Sequence, residues 1–124
     1  MRDIYIEYSK FEEQYGSTKH MMSVLDRGLN VLPSHQKYEY LLYYIHKAEE
    51  YYGVTKSREL YERGLEILDN ENVKDLGMKF IDREIKLGEV DRARGIYIYV
   101  SQVCNPKTVL SFWNSWREFE VYFM

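Results

Sequence analysis

One cysteine, two prolines and three histidines are all that 124 residues contain of these types, and each scarcity excludes something. A lone Cys104 rules out an internal disulfide and suits a reducing compartment. With only Pro33 and Pro106, and no Asn-Gly turn between alternating segments, a sheet reading has little to stand on. Long apolar runs are missing too. The longest, Leu41 to Ile45, is far too short to cross a bilayer, and the opening MRDIYIEYSK alternates charge with apolar residues where a secretory signal needs an unbroken apolar stretch. There is no basic excess. A net charge of −3 speaks against a domain that holds nucleic acid by neutralising phosphates, so direct RNA binding is not expected.

Catalytic grammar is equally thin. His20, His35 and His46 fall on different elements with no HExxH-type spacing, and no G-x-S-x-G, Walker loop or glycine-rich phosphate cradle occurs. The adjacent acids Glu12-Glu13 and Glu49-Glu50 would point about 100° apart on a helix and cannot flank one bond as glycosidase carboxylates do. Cys104 has neither a neighbouring histidine nor a helix N-terminus to activate it. The expectation is therefore no enzyme, no catalytic or metal-binding residues, no cofactor and no small-molecule substrate.

What is present is helical periodicity from end to end. The pattern predicts seven helices, over 2–15, 18–32, 36–52, 55–68, 71–87, 89–103 and 107–123. Gly16, Gly53 and Gly88 each follow a helical stretch where a left-handed C-cap favours glycine, and Pro106 would open the seventh helix.

The pattern repeats. FEEQYG, AEEYYG, REIKLG and FEVYFM place glutamates at 12, 49, 84 and 120, at intervals of 49 − 12 = 37, 84 − 49 = 35 and 120 − 84 = 36. DRGL at 26–29 answers ERGL at 62–65 with the same spacing of 36. A period of this length with two helices in each unit marks an α-solenoid. The fold class predicted is all-α, a solenoid of antiparallel helix pairs. One array of about three and a half repeats is expected, at about 2–33, 36–69, 71–104 and a half repeat at 107–124.

Seven and four residues before each glutamate stand Tyr5 and Tyr8, Leu42 and Ile45, Gly77 and Phe80, and Trp113 and Trp116. Because the stripe recurs at the period of the architecture, it reads as core packing rather than as a ligand box. A glutamate near a helix C-terminus meets the negative end of the macrodipole, so its repetition implies a partner. Arg58 and Arg94, and likewise Tyr61 and Tyr97, stand 36 apart in the helices that follow and are the candidates. One helix has more aromatic surface than one core face needs. In KYEYLLYYIHKAEEYYG the inner stripe takes Tyr38, Leu42, Ile45, Ala48 and Tyr52, leaving Tyr40, Tyr44, Lys47 and Tyr51 as a second row. That row either packs against the neighbouring repeat or contacts a partner protein.

The spacing, the aromatic positions and the glutamate together resemble the HAT (half-a-tetratricopeptide) repeat of RNA-processing scaffolds. More narrowly, KLGEVDRARGIYIYVSQVCNPKTVLSFWNSWREFEV (86–121) and YGVTKSRELYERGLEIL (52–68) resemble the C-terminal HAT array of the SYF-type splicing-factor (XPA-binding protein) family. The pattern departs at its end, where a glycine would stand near Met124. The resemblance implies a non-catalytic protein–protein interaction scaffold of the spliceosome, within the nineteen complex, hence spliceosomal protein partners, a nuclear location and a chain excerpted from a longer protein. Two alternatives stand beside it. One is a HAT scaffold of another RNA-processing complex, for messenger 3′-end cleavage or ribosomal RNA; the other is a helical-repeat arm of an enzyme. The last helix, SFWNSWREFEVYFM, reads as a first helix without its second. Trp113, Trp116, Phe119 and Phe123 are therefore expected to drive self-association of the 124-residue chain, as a two-fold dimer.

Overall fold

The computed structural model describes residues 2–105 and 109–123, and every regular element in them is an α-helix. The helices are α1 (Arg2–Tyr15), α2 (Thr18–Val31), α3 (Ser34–Tyr52), α4 (Val54–Ile67), α5 (Asn70–Lys86), α6 (Val90–Ser101) and α7 (Leu110–Tyr122). The all-α, seven-helix expectation holds. The largest boundary difference concerns α7, which begins at Leu110 and ends at Tyr122, one residue short of the expected 123; the expected opening at Pro106 lies outside the described residues.

Local chemistry accounts for several boundaries. Ser17 caps α2 by accepting the His20 N–H at 3.1 Å, and Asp69 caps α5 by accepting the Asn72 N–H at 3.0 Å. Gly53 and Gly88 close α3 and α5 with φ of 84° and 78°, a region disfavoured for any residue with a Cβ. Gly16 departs from that expectation, since its φ is not positive. The Glu12 side chain folds back over Gly16, with Cδ 3.1 Å from where a Cβ would stand, and the chain passes directly into the extended Ser17 cap.

The chain forms two compact units, Met1–Gly64 and Leu65–Met124. In the first, α1 and α2 run antiparallel: Glu12 lies near His20 at one end and Tyr5 packs on Gly28 at the other. α3 returns along α2, with Tyr52 Oη 3.4 Å from Thr18 Oγ1 and Tyr40 Oη 2.8 Å from the Leu25 carbonyl. α2 buries Met21, Met22, Val24, Leu25, Gly28 and Leu29, a stripe at helical spacing about two residues wide, and α3 supplies Tyr40, Leu41, Tyr44, Ile45 and Ala48.

In the second unit α5 and α6 pack closely because Gly77, without a side chain, admits Val100 of α6. α7 returns along α6. Trp113 Nε1 donates to the Cys104 carbonyl at 3.1 Å near one end, and Arg94 meets Glu120 at the other. Leu76, Phe80, Ile81, Ala93, Tyr97, Val100, Phe112 and Phe119 are buried here.

Candidate functional site

The four repeated glutamates share a helix position and diverge in surroundings. Glu120 of α7 accepts Arg94 Nε of α6 at 2.9 and 3.3 Å, and Trp116 Nε1 at 3.3 Å. The partner was expected in the helix that follows each glutamate; for Glu120 it is an arginine of the helix before. Glu84 is fully buried, Glu12 is mostly buried with its carboxylate 3.8 Å from His20 Nδ1, and Glu49 is exposed. Arg58 is half-buried and Tyr61 buried. Burial pushes the Tyr97 hydroxyl pKa up, and its oxygen lies 2.8 Å from Ser115 Oγ.

Of the stripe read as core, Ile45 and Phe80 are buried, while Tyr5, Leu42, Trp113 and Trp116 are half-buried. Tyr8 is exposed. The stripe that is buried in α7 stands one residue aside, at Phe112 and Phe119.

The second tyrosine row of α3 requires a correction. Tyr40 and Tyr44 are interior residues and offer no surface to a partner protein. Tyr40 donates to the Leu25 carbonyl, and Tyr44 donates to Asp26 Oδ1 at 3.4 Å beside Arg63, which also reaches Asn30. Desolvation raises both phenol pKa values far above 10. Lys47 and Tyr51, at the other end of the row, converge on Glu13 of α1 at 2.9 and 2.5 Å. Those two hydrogen bonds lower the Glu13 pKa and raise those of Lys47 and Tyr51. The row thus ties α3 to α2 and α1. Glu13, its hub, is a residue that repeat spacing does not single out.

The C-terminal patch also changes. Phe119 is buried against Tyr97, with ring centroids 5.1 Å apart, and Trp116 stacks on the same ring at 5.8 Å with planes 2° apart. Phe123 is half-buried. The exposed apolar side chains of α7 are instead Leu110, Val121 and Tyr122. A larger exposed row lies on α1, where Ile4, Tyr8, Phe11 and Tyr15 recur at intervals of four, three and four residues and all face solvent. Their helical spacing was legible in the sequence; their exposure was not.

Two open clefts accompany these faces. One of about 310 Å³ is lined by Tyr8, Glu12, His20, Ser23, Val24 and Arg27, the other of about 170 Å³ by Trp113, Trp116, Arg117 and Glu120. Among the described residues no group of three or more His, Cys, Asp or Glu side chains is placed to hold a metal ion, and no helix is long and apolar enough to cross a membrane. Cys104 is buried, which pushes its thiol pKa up.

Comparison with known proteins agrees with this helical arrangement. Residues 1–123 match the profile of the pre-mRNA-splicing factor Syf1/CRNKL1 C-terminal HAT repeat. Over 120 residues, 97% of this chain, the sequence is 41% identical to the rat pre-mRNA-splicing factor SYF1 and 40% identical to the human one. Over the same length it is 37% identical to pre-mRNA-splicing factor cwf3 of Schizosaccharomyces pombe. The chain spans 14 to 15% of the length of these relatives.

Proposed function

Because this chain belongs to the Syf1/CRNKL1 C-terminal HAT repeat family of pre-mRNA-splicing factors, we propose that it is a scaffold segment that holds spliceosomal proteins in place and performs no chemistry of its own. A nuclear location and membership of the nineteen complex follow from the same reading. The observation that carries it is the row Ile4, Tyr8, Phe11 and Tyr15, exposed along one helix. Monomeric soluble proteins rarely leave large apolar side chains contiguous on a surface, and rows of this kind suit another protein. Contact with RNA is expected to be no tighter than the non-specific range of roughly 10⁻⁴ to 10⁻⁶ M at physiological salt, given the net charge of −3. For the isolated chain we also propose self-association through the exposed face of α7.

Depletion of the protein that carries this segment tests the reading. Intron-retaining transcripts should accumulate, and a wild-type copy should restore splicing. Unchanged splicing would refute it, and a defect confined to messenger 3′ ends or ribosomal RNA would move the scaffold to another complex.

A further inference from the structure

Four glycines lie inside helices, and Gly28, Gly64 and Gly77 among them are buried. Two of those make room for a neighbour: an added Cβ would meet Tyr40 and Tyr5 at Gly28, and Val100 at Gly77. Gly95 of α6 differs. It is exposed, and an added Cβ there meets nothing within 4 Å. A glycine in mid-helix weakens the helix relative to alanine, and no packing within the described residues uses the space it leaves.

The repeat shows that this face is not one a neighbouring repeat covers. Counting back by 95 − 59 = 36 sets Gly95, Ile98 and Gln102 of α6 on Glu59, Glu62 and Glu66 of α4, and a further 36 sets them on Ser23, Asp26 and Asn30 of α2. Glu59, Glu62 and Glu66 are exposed although α4 has helices of the chain before and after it, so this register stays at the surface inside the array. Its chemistry changes at α6. The polar side chains of α2 and α4 give way to bare backbone at Gly95, with Ile98 and Tyr99 51% and 42% exposed on either side one turn further on.

Gly28 shows what such a gap takes. The Tyr40 ring lies over it and its hydroxyl donates to the Leu25 carbonyl, three residues back, at 2.8 Å. Three residues back from Gly95 stands Arg92. Tyr99 is held at one wall by its hydroxyl, which donates to the Leu65 carbonyl at 3.4 Å. Glu66 next to Leu65, and Glu89 and Asp91 at the start of α6, are exposed with Arg92 among them, an excess of negative charge that favours a basic visitor.

We propose that the Gly95 face of α6 seats a tyrosine of a separate protein, carried on a basic segment. The ring lies on Gly95 between Ile98 and Tyr99, the hydroxyl donates to the Arg92 carbonyl, and flanking lysine or arginine side chains meet Glu66 and Asp91. This deepens the scaffold reading by giving the chemistry of one partner, and rests on it.

The probe is the acetylated peptide amide Lys-Lys-Tyr-Lys-Lys, titrated into the 124-residue chain and followed by amide-resolved NMR. Saturable shifts centred on α6 around Gly95 are expected, with a Kd below about 1 mM. Alanine in place of the peptide's tyrosine should weaken binding about tenfold, and so should Ile98→Ser in the protein. Gly95→Ala should raise the urea midpoint, because alanine favours the helix, yet weaken the peptide about fivefold, because its methyl fills the seat. Loss of fold cannot produce that pair of results. No saturation at about 1 mM peptide, shifts confined to α1 or α7, or an affinity unchanged by Gly95→Ala overturns the proposal. An alanine peptide that binds as tightly as the tyrosine one overturns it too, since charge alone then suffices. Peptide bound by this chain but refused by the full-length protein means that the same protein's further repeats fill the face, and self-association lost in Gly95→Ala means that a second copy does; either result refutes a separate partner. A splicing defect on depletion together with failed peptide binding sinks this inference alone and leaves the scaffold reading standing.

Discussion

Gly28, Gly77 and Gly95 all lie inside helices, yet alanine should stabilise the protein at one and destabilise it at two. Replacing a mid-helix glycine by alanine gains about 0.5–1 kcal/mol, because glycine loses more backbone freedom on folding. At Gly95 of α6 an added Cβ meets no atom within 4 Å, so the full gain is expected. At Gly28 of α2 the added carbon would stand 2.7 Å from Tyr40 Cζ and 2.9 Å from Tyr5 Cγ, and nearer still to Tyr40 Oη. Tyr40 is fully buried and its hydroxyl donates to the Leu25 carbonyl at 2.8 Å, so the ring cannot slide away without breaking that bond. Overpacking costs about 1–3 kcal/mol and the lost hydrogen bond about 1. Against a helix-propensity gain of at most about 1, Gly28→Ala should destabilise by about 1–3 kcal/mol. Gly77→Ala meets Val100 at 2.5 Å, a buried β-branched side chain with one favoured helical rotamer, and should also destabilise, by about 1–2 kcal/mol. Urea unfolding separates the cases. Both tryptophans, Trp113 and Trp116, belong to the second unit, so their fluorescence should report Gly77→Ala and Gly95→Ala moving the transition in opposite directions. Far-UV circular dichroism reports Gly28→Ala. Tyr40→Phe should cost about 1 kcal/mol alone and less in the Gly28→Ala background, where it removes the crowding oxygen. If Gly28→Ala stabilises as Gly95→Ala does, the close approach of Tyr40 to α2 is wrong.

Three further outcomes are expected. Glu84→Ala should destabilise by about 1–3 kcal/mol because its carboxylate is buried, and by more than Glu49→Ala, whose side chain is exposed; equal melts for the two would refute the difference in burial. Glu13 has a folded pKa below its ordinary 4.5, so its contribution is present above that pH and lost as pH falls through the lower folded value. Glu13→Gln should therefore flatten the acid limb of the stability profile, and a limb identical to wild type would mean that the Lys47 and Tyr51 contacts are not populated. Light scattering after size exclusion at tens of micromolar should show the isolated chain self-associating, with Tyr122→Ser or Val121→Ser weakening the assembly; a clean monomer of 15.1 kDa sinks that expectation.

The helices and the all-α class were legible in the residues themselves, because 3.6-residue periodicity and the glycines at 53 and 88 are local signals that act through neighbouring backbone. So was the identity of the repeated glutamates. What lay beyond local reading was which face each helix turns inward. α3 is apolar on two faces, and counting places Tyr40 and Tyr44 on a second row; only α2 across from them, with Gly28 leaving room and the Leu25 carbonyl and Asp26 within reach, makes them interior. The rows of α1 and α7 are alike in spacing and in apolar character, yet one is exposed and the other buried. A side chain's burial is set by what stands opposite it, at a sequence distance no periodicity encodes: α6 places Tyr97 and Arg94 over Phe112, Phe119 and Glu120, while Ile4, Tyr8 and Phe11 face water.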